Sequence, residues 1–381
     1  MPVVRTLPTP EAQALLELTR DLIAAEVAPR AADMEARAEF PRELFRTLGK
    51  AGLLGLAYPE AQGGGGQPYE VYLQVLEELG RAWAAVAVGV SVHTLACFPV
   101  AQWGTPEQQE RFLPDMLGGE LLGAYCLSEA HSGSDAAALS ARAVRDGEDF
   151  VVNGTKAWVT HGGHADFYNL MVRTGEAGPA GISCLLADAA TPGLQALAPE
   201  RKMGMRSSPT ASMLLEQARV PVDRLLAGEG QGFRIAMSAL DGGRLGIAAC
   251  AVGLAQAALE QAVDYAKQRR QFGSAIADFQ GVSFLLADMA TQVEAARALY
   301  LSAARMKDAG RPYAAQAAMA KLFATDTAMR VTTDAVQVLG GYGYVEDFPV
   351  ERYLREAKIM QIFEGTNQVQ RVVIGRALTR G

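Results

Sequence analysis

A carboxylate near the end of the chain is followed at once by glycine, in the run Phe363-Glu364-Gly365-Thr366. Glycine lets a ligand approach the backbone closely, and a carboxylate beside it can accept a proton. The pair therefore suits proton abstraction from a bound organic molecule. Because Glu-Gly-Thr is also common in ordinary surface turns, the motif alone is weak, and the rest of the chain decides its meaning.

Metal and thiol chemistry find little support in the sequence. His161 and His164 are three residues apart, but two glycines separate them and no third ligand is near, which favours a loop at a strand end over a metal site. The cysteines lack the paired spacing of zinc sites or redox dithiols and are predicted to be reduced core residues. They are Cys97, Cys126, Cys184 and Cys250.

The sequence also lacks the motifs that usually bind nucleotides or activate a serine. Neither a dinucleotide fingerprint nor a P-loop is present, and the glycine-rich run from Gly228 to Gly232 does not follow a predicted strand in the required way. No Gly-x-Ser-x-Gly elbow is present, which argues against a serine hydrolase. A cofactor, if bound, must be held by another kind of site.

Composition restricts the class of partner. The chain has 381 residues with 35 basic and 42 acidic side chains, a net charge of −7, which argues against nucleic acid or an anionic membrane as the main partner. The Ala-rich segment Ala82 to Ala96 carries Ser91, His93 and Thr94 and reads as too short to span a bilayer, and no signal core is apparent. The expected location is cytoplasmic.

The length predicts two or three domains. Residues 1–118 show apolar side chains at three- and four-residue spacing and are predicted to form an α-helical domain. Residues 119–228 are rich in short β-type runs, predicted to form a compact β-barrel or sandwich. Residues 229–381 return to long Ala- and Leu-rich runs, which predict a bundle of about four helices. The predicted class is mostly α with a β domain.

A β-hairpin is predicted within residues 150–160, because Asn153-Gly154 joins two β-rich runs and Asn-Gly tolerates the positive φ angles of a tight turn. Further strands are predicted at residues 168–172, 182–186, 193–197 and 212–220.

Separated motifs together resemble the acyl-CoA dehydrogenase family over nearly the whole chain. They are Tyr125 to Asp135, Asn153-Gly154 through Thr160, Lys202 to Arg206 with Val220-Pro221, Leu240 to Ala249, Arg269 to Gly273, Gln280, Gln337 to Gly341, and Glu364-Gly365-Thr366. The sequence differs from the common pattern at Ala130-His131, where many members have Pro-Gly, and at Phe363, which stands in place of a tyrosine. Glu356 likewise replaces an aspartate.

The resemblance implies FAD in a cleft between the β domain and the bundle. Groups around Tyr125, Leu127, Ser128, Trp158 and Thr160 would line the isoalloxazine, where an aromatic face and hydroxyl donors can tune a flavin. A neighbouring subunit would meet the pyrophosphate and adenine. Its residues would be Arg269, Phe272, Gln280, Gln337 to Gly341, Thr366 and Gln368, with Arg269 suited to pyrophosphate as a permanently charged, forked donor.

The resemblance also implies the reaction. Glu364 would remove the α-proton of an acyl-CoA thioester while a β-hydride leaves to the flavin, giving the trans-2-enoyl-CoA. The thioester oxygen would be stabilised by the backbone N–H of the base. Ser134 would bond the pantetheine arm, Gly365 would border the substrate, and Asp241 and Arg244 would lie along the CoA path or brace the base. The pocket floor is expected in residues 86–98 and the bundle.

Some members place the base on the bundle helix, one residue before the arginine of the Leu240 to Arg244 motif. That position is Gly243 here, so Glu364 is expected to be the sole base.

The resemblance therefore predicts a flavoprotein oxidoreductase of fatty acid metabolism that forms a homotetramer and passes electrons to an electron-transferring flavoprotein. Alternatives that stay open are an acyl-CoA oxidase and a dehydrogenase of branched or aromatic acyl-CoA. Two alternatives are not enzymes. One is a catalytically silent scaffold that binds flavin, and the other is a helical interaction protein without a cofactor.

Overall fold

Six helices precede the sheet in the computed structural model, which describes residues 3–380. Their starts follow from local capping: Thr9 Oγ1 accepts the Ala12 N–H at 3.1 Å, and Thr105 with Gln108 forms a capping box. The helices are α1 (Pro10–Leu22), α2 (Ala28–Arg37), α3 (Arg42–Lys50), α4 (Tyr69–Ala82), α5 (Ala84–Trp103) and α6 (Pro106–Gly118).

Helix α5 is longer than its sequence pattern suggests and is buried nearly all round. At 20 residues it is long and apolar enough to cross a membrane, as is the later helix Gly232–Gln268, but 94% and 83% of their most apolar windows are buried inside the fold. A helix that is apolar on every side fits the centre of a folded core equally well. Both helices therefore act here as core elements.

The central part of the chain forms one mixed sheet of eight strands. The strands are β1 (Gly123–Cys126), β2 (Arg142–Asp146), β3 (Asp149–Thr160), β4 (Phe167–Arg173), β5 (Ile182–Asp188), β6 (Leu194–Ala196), β7 (Thr210–Pro221) and β8 (Leu225–Leu226). Their order is β6-β7-β3-β2-β4-β5-β8, and β1 pairs in parallel with β4. The strands predicted at residues 168–172, 182–186, 193–197 and 212–220 correspond to β4, β5, β6 and β7.

The predicted barrel closure is not confirmed. The sheet is open within the described residues, since its terminal strands β6 and β8 do not pair with each other. These strands contain three and two residues, too few for the continuous ladder that closure needs. The fold is mostly helical with a mixed sheet.

The predicted hairpin at Asn153-Gly154 is wrong. Both residues lie inside β3, where the pairing register with β7 shifts between Val152 and Gly154. Gly154 has φ 143°, and Asn153 Oδ1 accepts the Gln217 N–H at 2.9 Å. Asn-Gly fits a β-bulge for the same reason that it fits a turn, because both require backbone angles that glycine tolerates.

The helices after the sheet form a bundle around one central helix. They are α7 (Gly232–Gln268), α8 (Gln280–Asp308), α9 (Ala314–Leu339), α10 (Val350–Met360) and α11 (Asn367–Arg380), three long and two shorter helices. Helix α7 packs on α4, α5, α8 and α9. Its small residues permit close approach: a Cβ at Gly253 would lie 2.2 Å from the Glu77 carbonyl oxygen on α4.

Several local predictions agree with the structure. All four cysteines are buried free thiols. His161 and His164 lie in the turn after β3. Helix α7 begins at Gly232, where the helical pattern resumes in the sequence.

Candidate active site

Glu364 lies in the turn that joins α10 to α11. Glu364 and Gly365 both have left-handed backbones, with φ of 51° and 86°. This conformation costs a non-glycine residue about 1–2 kcal/mol, so surrounding contacts must hold it. The Gly365 carbonyl accepts hydrogen bonds from Lys321 Nζ at 2.9 Å and Gln370 Nε2 at 2.8 Å. The turn is therefore fixed from two helices.

The Glu364 carboxylate lies in an unusual environment. Both of its oxygens are buried, and neither accepts a hydrogen bond from a group in residues 3–380. Burial raises the pKa of Glu364 to about 7, while the cations Lys321 and Arg244 act in the opposite direction. A carboxyl group that titrates near neutrality is suited to general base catalysis.

Gly243 on α7 lies directly against this carboxylate. A Cβ added to Gly243 would lie 2.2 Å from Glu364 Oε2 and 3.2 Å from Leu95 Cδ1. The absence of a side chain at this position leaves the room that the carboxylate occupies. The sequence-based expectation that position 243 borders the base agrees with this geometry.

A cavity adjoins Gly243 and is enclosed by α4, α5 and α7. Its wall carries several polar groups: Tyr69 Oη donates to the Gly242 carbonyl at 2.9 Å, and Tyr58 Oη donates to the Thr94 carbonyl at 2.5 Å. Thr94 Oγ1 is buried without a hydrogen-bond partner in the described chain. Ser91, Thr94, Leu95 and Phe98 line the cavity, within residues 86–98, where the pocket floor is predicted.

The residues predicted to face a flavin meet where β1 and β3 end. The Ala157 N–H donates to the Ser128 carbonyl at 2.9 Å and joins the two segments. The β3–β7 register shifts between Lys156 and Val159, and Trp158 there has φ 61°. This bulge leaves the indole 63% exposed. Leu127 is buried, while Ser128 and Thr160 are half-buried.

Tyr125 connects this region with the base. Its phenol oxygen is buried and has no hydrogen-bond partner among the described residues. Burial raises the pKa of Tyr125 well above its ordinary value, and the charge of Glu364 contributes to the rise, so the two side chains lie near each other. The structure thus brings β1 and the base turn together at one cleft.

A buried ion pair braces the segment around Ser128. Lys156 Nζ donates to Glu129 Oε1 at 2.8 Å and to the Leu127 carbonyl at 3.2 Å. Although burial alone would raise the pKa of Glu129, Lys156 and the N–H groups of Ser140 and Ala141 lower it to about 2. Glu129 is thus a charged structural residue and not a second candidate base.

The residues predicted along the CoA path lie on α7 and on the loop after β1. Asp241 and Arg244 form an ion pair at 2.6 Å, one turn apart on α7. Arg244 is buried and influences the pKa of Glu364, which agrees with a bracing role. Ser134 is exposed on the loop after β1.

The residues predicted to serve a neighbouring subunit's cofactor form an exposed patch. Arg269 lies 5.8 Å from the ring of Tyr342, which follows Gly341. Phe272 is 96% exposed and meets the ring of Phe279 edge-on. Arg269, Gln280, Gln337, Gly341 and Gln368 are also exposed. Thr366 instead caps α11, since its Oγ1 accepts the Val369 N–H at 3.2 Å.

Sequence reasoning missed two lysines near the site. Lys321 donates a hydrogen bond to the Gly365 carbonyl in the turn that carries Glu364. Lys307 lines the cavity, and its Nζ lies 3.8 Å from the Tyr69 ring centroid. Lys321 stands in the Ala-rich run Ala317-Ala318-Met319-Ala320-Lys321, four residues after Ala317 and four before Thr325. A lysine on the apolar stripe of a helix is a signal for a buried cation.

Comparison with known proteins gives consistent matches over the whole length of the chain. Three family models match: the acyl-CoA dehydrogenase N-terminal domain over residues 9–120, the middle domain over 124–218 and the C-terminal domain over 230–379. An acyl-CoA dehydrogenase of Bacillus subtilis is 46% identical over 375 residues, which cover 98% of this chain and 99% of the relative.

Two solved structures have nearly the same fold. A chain from a study of the electron-transferring flavoprotein of Acidaminococcus fermentans aligns with a TM-score of 0.97 at 42% identity, covering 99% of this chain and 100% of that chain. Butyryl-CoA dehydrogenase from Megasphaera elsdenii aligns with a TM-score of 0.96 at 41% identity, covering 98% of this chain and all of that chain.

Proposed function

The chain belongs to the acyl-CoA dehydrogenase family, and on this basis we propose that it oxidises a short acyl-CoA thioester to the trans-2-enoyl-CoA. The α-carbon loses a proton to Glu364, the β-carbon loses a hydride, and the α,β double bond forms from the remaining electrons. The observation that carries the proposal is the buried, unpaired Glu364 carboxylate beside a cavity and the α7 backbone.

Glu364 combines the two properties that the proton transfer needs. Its oxygens have no protein partner within residues 3–380, so a substrate C–H can approach them without breaking an existing hydrogen bond. A pKa of about 7 makes it a stronger base than an exposed carboxylate while leaving a large ionised fraction at neutral pH.

The backbone of the same residue can stabilise the enolate. The Glu364 N–H donates to no acceptor in the described part of the chain, so it is free to bond the thioester oxygen. Negative charge develops on that oxygen as the α-proton leaves, and a fixed N–H in a water-poor site stabilises such charge. The left-handed turn at Glu364 and Gly365 fixes the direction of this N–H relative to the side chain.

The chain offers a suitable site for FAD. The exposed Trp158 indole provides a face for a planar ring, and the unpaired, buried Tyr125 hydroxyl would gain a partner from a bound ligand. Ser128, Leu127 and Thr160 would complete the lining. When bound, FAD supplies the acceptor for the hydride that leaves the β-carbon.

We propose a homotetramer, and the exposed patch supports contact with a partner subunit. Arg269, Phe272, Gln280, Gln337 and Gly341 would contact the pyrophosphate and adenine of an FAD held by the partner subunit. A 96% exposed phenylalanine favours coverage by another chain, and Arg269 is suited to a pyrophosphate.

We propose an electron-transferring flavoprotein as the electron acceptor. One of the two similar solved structures comes from a study of such a flavoprotein, which supports the assignment. An oxidase would instead pass the electrons to oxygen. Hydrogen peroxide released during turnover in air, at the rate of substrate consumption, would favour the oxidase.

An anaerobic substrate panel tests the proposal. The FAD-loaded protein is mixed with acyl-CoA thioesters of graded length and branching, and flavin absorbance is followed. We expect rapid bleaching by short straight-chain substrates, because butyryl-CoA dehydrogenase from Megasphaera elsdenii has nearly the same fold and is 41% identical. Failure of every acyl-CoA to bleach the flavin would overturn the proposal and favour a non-catalytic scaffold.

A further inference from the structure

Lys321 is fully buried in α9 and is directed at the turn that carries the base. Its Nζ donates to the Gly365 carbonyl at 2.9 Å and to Asn367 Oδ1 at 3.0 Å. The first acceptor is the residue directly after Glu364, and the second is the first residue of α11. A single ammonium group therefore joins α9 to the α11 end of the turn.

The neighbouring hydrogen bonds make the turn rigid. Asn367 Nδ2 donates to Thr325 Oγ1 at 2.9 Å and to Asp326 Oδ1 at 2.7 Å, so α9 also holds the start of α11. Gln370 Nε2 donates to the Gly365 carbonyl at 2.8 Å. Two successive left-handed residues persist only where surrounding contacts fix them, and these contacts surround Lys321.

The charge of Lys321 is not balanced by a contacting carboxylate. The hydrogen-bond acceptors of its Nζ in residues 3–380 are neutral groups, the Gly365 carbonyl and Asn367 Oδ1. A buried ammonium group is costly unless a negative charge is near. Glu364 and Asp326 are the anions that favour its charged form, while burial lowers the pKa of Lys321 to about 8.

We propose that Lys321 is a positioning residue for the dehydrogenation: it fixes the left-handed turn that carries Glu364, and its buried positive charge favours the carboxylate form of that side chain. This inference rests on the proposed function, since it assigns Lys321 a task only if Glu364 is the base.

Other charged and titratable groups lie near the Glu364 carboxylate and also affect its ionisation. Arg244 supplies the second nearby cation from α7, and Asp241 neutralises part of its charge through their ion pair. The remaining titratable neighbours are neutral near pH 7, because burial raises their pKa values. They are Tyr69 and Tyr72 on α4, Tyr125 on β1 and Cys250 on α7.

The sign of the effect follows from charge. A cation stabilises the ionised carboxylate, so its removal raises the pKa of Glu364. Because the base must be ionised, the rising limb of rate against pH should move to higher pH, by about one unit for the loss of one nearby charge. The rate at neutral pH should fall, whereas the rate well above the new pKa should recover in part.

Three substitutions separate the charge from the hydrogen bond. Lys321→Met removes both, Lys321→Gln keeps a donor without charge, and Lys321→Arg keeps the charge. The matched control is Lys358→Met, which removes an exposed lysine on α10 whose Nζ bonds Gln361. Folding and FAD content are checked first, and Lys321→Gln carries the test if Lys321→Met does not accumulate as folded protein.

Two measurements are made on each variant. The first is the pH profile of flavin reduction. The second is the infrared C=O band of protonated Glu364, assigned by its loss in Glu364→Gln and titrated without substrate. We expect both titrations to move up by about one unit in the Met and Gln variants and to stay near wild type in Lys321→Arg and Lys358→Met. Unshifted titrations in folded, flavin-loaded Lys321→Gln would overturn the inference.

The proposed reaction and the role of Lys321 can be refuted separately. A wild-type protein that no acyl-CoA reduces would refute the proposed reaction. A wild-type protein that is reduced normally, with the Glu364 titration unmoved by loss of the Lys321 charge, would leave the reaction intact and refute the role of Lys321.

Discussion

Gly243 and Glu364 lie in direct contact across the cleft: a methyl group at Gly243 would approach Glu364 Oε2 to 2.2 Å. The base on its turn and the backbone of α7 therefore share one small space. What occupies position 243 decides where the carboxylate can lie, and this contact yields two predictions.

The first prediction is that Gly243→Ala slows flavin reduction by about tenfold, because the carboxylate must rotate away from its place, at a cost of about 1.4 kcal/mol in the barrier. Stopped-flow reduction of the FAD-loaded variant measures the effect. Gly375→Ala on α11 is the matched control, since an added Cβ there meets nothing within 4 Å. Equal rates in Gly243→Ala and wild type would show that the Glu364 carboxylate can accommodate a methyl group at position 243 without loss of activity.

The second prediction concerns relocation of the base. In a Glu364→Gly background the space is vacated, and glycine adopts the φ of 51° at position 364 without strain. Gly243→Glu should then recover part of the lost activity, with a changed chain-length preference because the carboxylate enters from α7. Gly243→Gln in the same background is the control and should recover nothing. No recovery in a folded, FAD-loaded double mutant would argue against position 243 as a substitute base.

A third prediction follows from two buried histidines. Burial lowers the pKa of His93 to about 4 and that of His161 to about 3, from an ordinary value of 6.5. Below pH 6.5 the unfolded chain therefore binds more protons than the native protein, and the free energy of unfolding should fall as pH decreases toward 4. Urea unfolding between pH 7 and pH 4.5 measures this.

The wild-type slope is the reference for a variant that lacks one of the two buried imidazoles. His161 Nε2 has no partner in the described residues, so His161→Gln should fold and flatten the slope. An equally steep slope in His161→Gln would mean that other groups cause the acid sensitivity.

The fourth prediction tests the exposed patch. Arg269→Ala should give protein depleted in FAD and with weakened assembly, because a forked cation is lost from a pyrophosphate contact. Any remaining loaded enzyme should keep its substrate preference. Arg270→Ala is the neighbouring control, since the Arg270 side chain bonds, among the residues that the structure describes, only the local Gly273 carbonyl at 3.3 Å. Flavin content and sedimentation velocity decide the matter, and full FAD in an intact oligomer would rule the contact out.

How far the sequence predicts this structure depends on the range of the interactions. The helical periodicity around Leu76 and Leu79 and the β-rich run of β4 report local preferences, and both elements form where they are predicted. Asn153-Gly154 was ambiguous because a turn and a bulge require the same backbone freedom. Only the 12-residue pairing partner β7, distant in sequence, selects the bulge. Barrel closure likewise depends on terminal strands whose lengths local patterns do not fix.

The candidate site shows the same division. Motif resemblance identifies Glu364, Trp158 and Arg269 because their neighbours in the sequence are distinctive. It does not reveal the contact of Lys321 with Gly365, which joins residues 44 positions apart. The pKa of Glu364 depends on burial and on the charges of Lys321 on α9 and Arg244 on α7, and a linear pattern cannot report how such distant elements pack.

The central claim is that Glu364 accepts the α-proton, and the most direct test is anaerobic reduction of FAD-loaded Glu364→Gln by a short acyl-CoA. The amide keeps the size of the side chain but cannot accept the proton. We predict a normal oxidised flavin spectrum with reduction slowed by about a thousandfold or more. Bleaching of the flavin at a rate near that of the wild type would contradict the assignment.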